Sequence, residues 1–258
     1  MPTWFRKGID PGTIITLDQP VPSQWQIVKK LNEGDSQLTE AEAEHTRGCR
    51  LSFATTKLLC RDPTDHTKHA FMRIYLQLPY RGTEIDDADT RASQAATIVP
   101  QELIAYQELT QKSSITPKLL GYRTTPQDKS GPVPGGFAVW LAWEMVPGLR
   151  LGSKKRPDAF WTLDATEREE VRLSFVMSLN NMRKVGYFPD KVALSSLVWH
   201  KASKTVYFIG FRHRNVATGP SKGTVPDSKW IARFGLAKPN SDAWLKKGWN
   251  EDTSEWKW

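Results

Sequence analysis

The sequence predicts an α+β protein with a β-rich first lobe and a smaller second lobe built around one long helix. Three observations predict this class: β-prone apolar runs separated by turn residues before residue 146, one stretch of helical periodicity after it, and two short apolar runs that follow that stretch. The chain has 258 residues, which is enough for two small lobes. We therefore expect lobes at residues 1–146 and 147–258.

The first lobe begins with an arm and a series of strands. Residues 1–22 are rich in Pro, Gly and Thr and predict an extended arm. Residues 25–31 form the first predicted strand, and the polar segment 32–35 is a loop after it. The acidic residues 40–44 predict one helical turn or a disordered loop. Two further β-prone runs, 50–59 and 69–78, are separated by turn residues.

The rest of the first lobe alternates loops, a helix and strands. Residues 81–96 are polar and acidic, and we expect a mobile loop there. A helix follows from Pro100, with Glu102, Leu103, Tyr106 and Leu109 at helical spacing. Residues 116–122 lead into the next strand, and a Pro/Gly loop separates it from a buried strand at 137–146.

The second lobe contains the strongest helix signal in the chain. Thr166 and Glu169 have the spacing of a capping box, an apolar helical face follows, and Gly186 ends the helix. An irregular loop comes next, with two apolar runs at 197–199 and 205–209. The turn residues 201–204 join these runs into a predicted β-hairpin.

The succession of helix, loop and hairpin at residues 186–214 resembles the catalytic region of protein kinases, in the short form found among fungal kinase-like proteins. The resemblance covers roughly residues 25 to 214. It implies a bilobal protein-kinase-like fold with a reduced C-terminal lobe. Other residues stand where a kinase has its reactive groups: Arg73 for the strand lysine, Lys191 (beside Asp190) for the catalytic aspartate, Ser196 for the metal-binding asparagine and Gly210 for the second metal-binding aspartate.

These replacements predict a protein that transfers no phosphoryl group and needs no cofactor. The segment aligned with the glycine-rich phosphate loop, residues 32–35, has one glycine and two acids, and acidic side chains there would repel a triphosphate. Glu102 aligns with the helix glutamate of kinases. We therefore expect a structural ion pair between Arg73 and Glu102, because a partly buried charge needs a partner.

The composition favours a polyanionic partner. The formal net charge is +8 and the isoelectric point is about 9.4. This charge fits RNA, DNA, an acidic membrane or nucleotide phosphates, and it fits an ordinary basic protein equally well. No apolar run is long enough to span a bilayer, and Cys49 and Cys60 are the only cysteines. We expect a cytoplasmic protein with reduced cysteines, no membrane partner and no metal.

Two basic segments are candidates for nucleic-acid binding. Lys154, Lys155 and Arg156 form the first one. The second is the C-terminal tail, which interleaves aromatic and basic residues: Trp230, Trp244, Lys246, Lys247, Trp249, Trp256, Lys257 and Trp258. Such interleaving suits stacking on exposed bases with neutralisation of phosphates. Docking of the indoles on the small lobe is the alternative.

The same tail contains three acids, Glu251, Asp252 and Glu255, which converge if the segment is helical. Converging carboxylates can bind a guanidinium group or accept a proton from an amine. Residues 251–255 resemble the Asp-Asp-x-x-Glu motif of the fungal arginine-containing cyclodipeptide synthases, with Glu251 in place of the first aspartate. This second resemblance rests on five residues together with charge and size.

The synthase resemblance implies a tRNA-dependent enzyme of secondary metabolism that joins arginine to a second amino acid as a cyclic dipeptide. The three acids would be catalytic. Arginyl-tRNA and the second aminoacyl-tRNA would bind Lys154, Lys155, Arg156, Lys246, Lys247, Trp249 and Trp256. Ser195 and Ser196 are candidates for an acyl-enzyme nucleophile. The alternatives are a catalytically inactive pseudokinase that acts as a scaffold or regulator, and a non-catalytic RNA-binding module.

Overall fold

The structure is a computed structural model that describes residues 3–46, 50–153, 157–213 and 226–258. It is a mixed α+β structure whose sheets are antiparallel in all the pairings described. The chain divides into two compact units, Met1–Leu103 with Lys118–Met145 and Ile104–Pro117 with Val146–Trp258. None of the helices in the described part of the chain is both long and apolar enough to cross a membrane.

The first unit is organised around a six-stranded sheet in the order β1-β2-β3-β4-β6-β5. Its strands are β1 (Ile14–Leu17), β2 (Ser23–Ser36), β3 (Phe53–Arg61), β4 (His69–Gln77), β5 (Leu119–Pro126) and β6 (Phe137–Glu144). Two short helices, α1 (Glu40–His45) and α2 (Ala88–Ala92), lie in its connections, and α3 (Gln101–Lys112) begins in it. The core contains side chains with no exposed surface from neighbouring strands, among them Leu58, Met72 and Ala142.

Two local features of the first unit differ from the sequence prediction. β2 continues to Ser36 through the segment predicted as a loop, because residues 32–35 pair with residues 54–57 of β3. The predicted mobile loop at 81–96 contains α2, whose first turn is capped by Asp87: its carboxylate accepts the N–H groups of Asp89 and Thr90. The acids of that segment therefore include a helix cap.

The second unit consists of helices and a three-stranded sheet in the order β7-β8-β9. Its elements are the C-terminal part of α3, β7 (Leu149–Arg150), α4 (Ala165–Val185), β8 (Leu197–His200), β9 (Thr205–Phe208) and α5 (Asp227–Arg233). The predicted hairpin is present as β8 and β9, and a 3-10 turn at Lys201–Ser203 joins them.

The bounds of α4 follow from its caps. The N-cap is Asp164, whose carboxylate accepts the N–H of Glu167 at 2.8 Å. The predicted capping box at Thr166 is therefore wrong by two residues: Asp164, two residues earlier, supplies the acceptor and the helix begins there. Gly186 ends the helix as predicted, with a φ of 80° that favours a residue without a Cβ.

Candidate functional site

The expected ion pair between Arg73 of β4 and Glu102 of α3 is present in the first unit. Arg73 Nε lies 2.7 Å from Glu102 Oε2, and the two side chains are 12% and 2% exposed. The distance is that of an ion pair, although Nε lacks the alignment of a hydrogen bond. The Tyr75 hydroxyl donates to the same carboxylate oxygen at 2.8 Å. The pair is thus buried, and a neutral donor supports the carboxylate.

Lys57 is a second cation beside this pair, and the sequence analysis did not identify it. It lies directly opposite Arg73 in the register of β3 and β4. Its amino group is 3.7 Å from the centroid of the Phe71 ring and 5.4 Å from that of Trp143, and the Arg73 guanidinium is 5.7 Å from the same Trp143 ring. Aromatic faces stabilise such cations. No pattern in the sequence marks Lys57. Its position opposite Arg73 becomes visible only in the register of the two strands.

The acids of the segment 32–35 hold the N-terminal arm. Glu33 accepts the backbone N–H of Trp4 at 2.6 Å and pairs with Lys30, and Asp35 accepts the Trp4 indole N–H at 2.8 Å. A cavity of about 500 Å³ in this unit is lined by Thr3, Trp4, Arg6, Gln37 and Glu84. The acidic segment therefore has a structural role in the first unit.

In the second unit, Asp190 supports the backbone. The Asp190 carboxylate accepts the N–H groups of Arg212 and His213, both at 2.9 Å, and its own N–H donates to the carbonyl of Gly210 at 2.8 Å. Gly210 has a φ of 92°, and Lys191 is exposed. These three contacts fix the loop that follows β9, which also places Phe211 edge-on to Tyr106 in the core of this unit.

Ser195 and Ser196 contribute backbone contacts. The carbonyl of Ser195 accepts from Arg150 Nε at 2.8 Å, and the carbonyl of Ser196 accepts the N–H of Ile209 at 2.9 Å. Within the described residues neither hydroxyl is hydrogen-bonded to a histidine or a carboxylate. A serine nucleophile needs such a base. Neither serine is arranged as an activated nucleophile.

The three tail acids lie on an irregular segment, so the helix that would make them converge is absent. Glu251 has a φ of 63°, which a helix does not allow. Asp252 accepts the N–H of Ser254 at 2.9 Å, and this hydrogen bond lowers the pKa of its carboxyl. Glu255 accepts from the Asn240 amide. All three side chains are exposed, and a lowered pKa makes Asp252 a weaker base.

The tail tryptophans pack on one another. Trp256 is 8% exposed and stacks on Trp249 at 5.3 Å and on Trp258 at 5.8 Å between ring centroids. Lys246 and Lys247 are exposed beside them. Of the predicted tRNA-binding residues, Lys154, Lys155 and Arg156 lie outside the described residues.

One basic and aromatic cluster in the second unit was not predicted. The Lys238 amino group is 4.7 Å from the centroid of the Trp161 ring, and the Lys257 amino group and the Arg168 guanidinium are each 5.7 Å from it. Backbone hydrogen bonds of 2.9 Å in both directions join Lys238 to Lys257. We call these four residues the Trp161 cluster. They come from three separate segments of the chain, so no local sequence pattern predicts the cluster.

A metal centre has no evident donor set in the part of the chain that the structure describes. No group of three or more His, Cys, Asp or Glu side chains is placed there to hold an ion. Cys60 is buried without a disulfide, and burial raises the pKa of its thiol to about 12. Cys49 lies outside the described residues.

Comparison with known proteins adds one distant likeness. No protein-family model matches the sequence, and no curated protein matches it. Among solved structures, the chain is similar to the kinase PK-1 of the Cydia pomonella granulovirus, with 15% sequence identity and a TM-score of 0.43. The match covers 78% of this chain and 55% of the viral kinase chain. The chain thus spans about half the length of that kinase.

Proposed function

We propose that this protein is a kinase-like pseudokinase that transfers no phosphoryl group and acts as a scaffold or regulator. The order of elements supports the kinase-like part of the proposal: four strands with two short helices in their connections, the longer helix α3, two strands, then the long helix α4, a loop and a hairpin. The buried pair of Arg73 with Glu102 supports it too, since kinases join the corresponding strand and helix by an ion pair.

The proposal that the protein is inactive rests on the hydrogen bonds of Asp190. Phosphoryl transfer needs a carboxylate beside the attacking hydroxyl and further groups that hold the metal on the phosphates. Here the carboxylate nearest the catalytic position accepts two backbone N–H groups, and a glycine stands in place of the second metal-binding aspartate. The Asp190 carboxylate therefore fixes the loop. A metal ion on the phosphates would lack a second carboxylate ligand, because that position is Gly210.

The test is a kinase assay on the whole protein with radiolabelled Mg-ATP. We expect no phosphorylated protein or peptide above the level of a protein-free control, and no thermal shift with Mg-ATP beyond the shift with magnesium alone. Asp190→Asn serves as the control variant for contaminating kinases. Phosphorylated product that is formed by the natural protein and lost in Asp190→Asn would overturn the proposal.

A second candidate is the tRNA-dependent cyclodipeptide synthase. It is favoured by the exposure of all three tail acids, next to a main chain that is held in place because Lys257 pairs with Lys238 through the backbone and Trp256 is buried. In this reaction the amine of one aminoacyl ester attacks the carbonyl carbon of the other, and the tRNA hydroxyl leaves. The second amine then closes the ring in the same way and releases the second tRNA.

In that candidate the exposed acids would bind the arginine guanidinium and accept the amine proton. Production of the protein in bacteria, followed by mass analysis for arginine-containing diketopiperazines, tests it. Asp252→Asn and Glu255→Gln should lower the yield about 10²–10⁴-fold if the group is the base. Asp242→Asn changes an exposed acid of the same unit and should leave the yield unchanged. Absence of any diketopiperazine would remove the candidate and leave the pseudokinase.

A further inference from the structure

The Trp161 cluster concentrates positive charge around one half-buried ring. Two of its cations, Lys238 and Lys257, are exposed, and both amino groups lie within 6 Å of the same ring centroid. Arg168 approaches the ring from α4 and also donates to the carbonyl oxygen of Trp258 at 3.4 Å. Three cations at one ring repel one another, so the arrangement favours an anion that contacts more than one of them.

The acids of the neighbouring helix do not neutralise this charge. The α4 glutamates are paired elsewhere: Glu167 with Lys201, Glu169 with Arg172 and Glu170 with Lys204. In the parts of the chain that the structure describes, no Asp or Glu side chain lies within 4 Å of the charged atoms of Lys238, Lys257 or Arg168. The charges of Lys238 and Lys257 are therefore available to a ligand, whereas Arg168 already donates to the carbonyl oxygens of Leu163 and Trp258.

Two aromatic side chains lie in this region. Trp161 is half-buried under the cluster cations, and Trp258, whose carbonyl oxygen accepts from Arg168, is 37% exposed with its ring 5.3 Å from the guanidinium of a further arginine, Arg172. Cations that neutralise phosphates, placed beside aromatic rings that can contact bases, are the pattern by which proteins hold single strands. A duplex presents phosphates but no unstacked bases for these rings, so it matches the site less well than a single strand. Binding to a membrane surface would require apolar side chains that insert into the lipid.

We propose that the Trp161 cluster binds single-stranded nucleic acid, with Lys238 and Lys257 on neighbouring phosphates. This activity is additional to the pseudokinase role and does not depend on it. It also does not require the tail acids, so it stands apart from the synthase candidate. The lysine side chains are not needed for the tail to dock, because the pairing of Lys238 with Lys257 uses backbone groups alone.

The test is fluorescence anisotropy with labelled 12-nucleotide oligouridine and oligothymidine, using the whole protein. Lys238→Gln and Lys257→Gln are combined in one variant. Each phosphate contact on a single strand contributes about 0.7 to the slope of log K against log salt. Losing two contacts should make the slope shallower by about 1.4, which weakens binding about fourteenfold at 150 mM salt and about 65-fold at 50 mM. Comparing the two oligomers shows whether the strand is RNA or DNA.

A matched control removes the same charge elsewhere. Lys29 and Lys129 are exposed lysines of the first unit, and Lys29→Gln combined with Lys129→Gln lowers the net charge equally. The control should keep the affinity and the slope of the natural protein. Equal losses in both double variants, no binding by the natural protein, or binding of duplex DNA or anionic vesicles as tight as that of the single strands would each overturn the proposal.

Discussion

Replacing Glu102 with glutamine should destabilise the protein strongly, because it leaves a cation in a poorly solvated site. Glu102 is 2% exposed and Arg73 is 12% exposed, so water cannot compensate for the lost carboxylate. Glutamine keeps the shape and an oxygen that can accept from the Tyr75 hydroxyl. The variant therefore changes the charge and leaves the packing nearly intact.

The expected magnitude follows from the burial of the pair. Removing one partner of a buried ion pair costs about 3–5 kcal/mol, and the residual exposure of Arg73 places the loss near the lower end. For a chain of this size the urea dependence of unfolding is about 3 kcal/mol per molar, so the midpoint should fall by about 1 M. The double variant Arg73→Met with Glu102→Leu should lose less than Glu102→Gln, since no unpaired charge remains.

The assay is urea unfolding followed by far-ultraviolet circular dichroism. Lys112→Gln provides the control, because it breaks an exposed pair in the same helix: Lys112 is 52% exposed and lies 2.9 Å from Glu108. An exposed pair contributes roughly 0–1 kcal/mol. If Glu102→Gln shifts the midpoint no more than Lys112→Gln, the pair does not carry the stability argued from its burial.

Two further predictions concern the second unit. Hydrogen bonds from the Lys201 amino group and the Trp199 indole hold the pKa of Glu167 below its ordinary value of 4.5, so the stability they contribute is present above that pH and is lost as the pH falls through the folded-state pKa. Glu167→Gln should accordingly show a smaller fall in Tm between pH 6 and pH 3 than the natural protein, and an equal fall would contradict this. Gly148→Ala should cost about 3 kcal/mol or more in urea unfolding, because φ is 120° and the new Cβ would lie 2.2 Å from the Trp199 carbonyl oxygen. Gly82→Ala has a similar φ of 96° but open space around the Cβ, so it should cost clearly less.

Local patterns predicted much of the secondary structure. The helical spacing after Pro100 gave α3, and the positive φ available to glycine marked the end of α4. The continuation of β2 to Ser36 was not predictable from the segment itself, because polar residues with a glycine favour a turn when considered alone. Pairing with β3 decides the outcome, and that partner lies about twenty residues further along the chain.

The site was less predictable than the fold. The ion pair of Arg73 with Glu102 could be expected because a resemblance supplied both positions at once. The tail acids could not be placed from spacing, since Glu251 adopts a left-handed φ and Asp252 and Glu255 bond to nearby groups instead of converging. The Trp161 cluster depends on the tertiary approach of three separate segments, which no periodicity encodes.

The conformation of Gly210 limits what a substitution can do at this position. A φ of 92° is accessible to glycine and strained for an aspartate, although no neighbouring atom would block the added Cβ. Gly210→Asp would thus place a carboxylate on a backbone that opposes it, while Asp190 would still be bonded to Arg212 and His213. Under the proposed pseudokinase role, this single replacement would not by itself supply a metal site, because the main chain would have to change first.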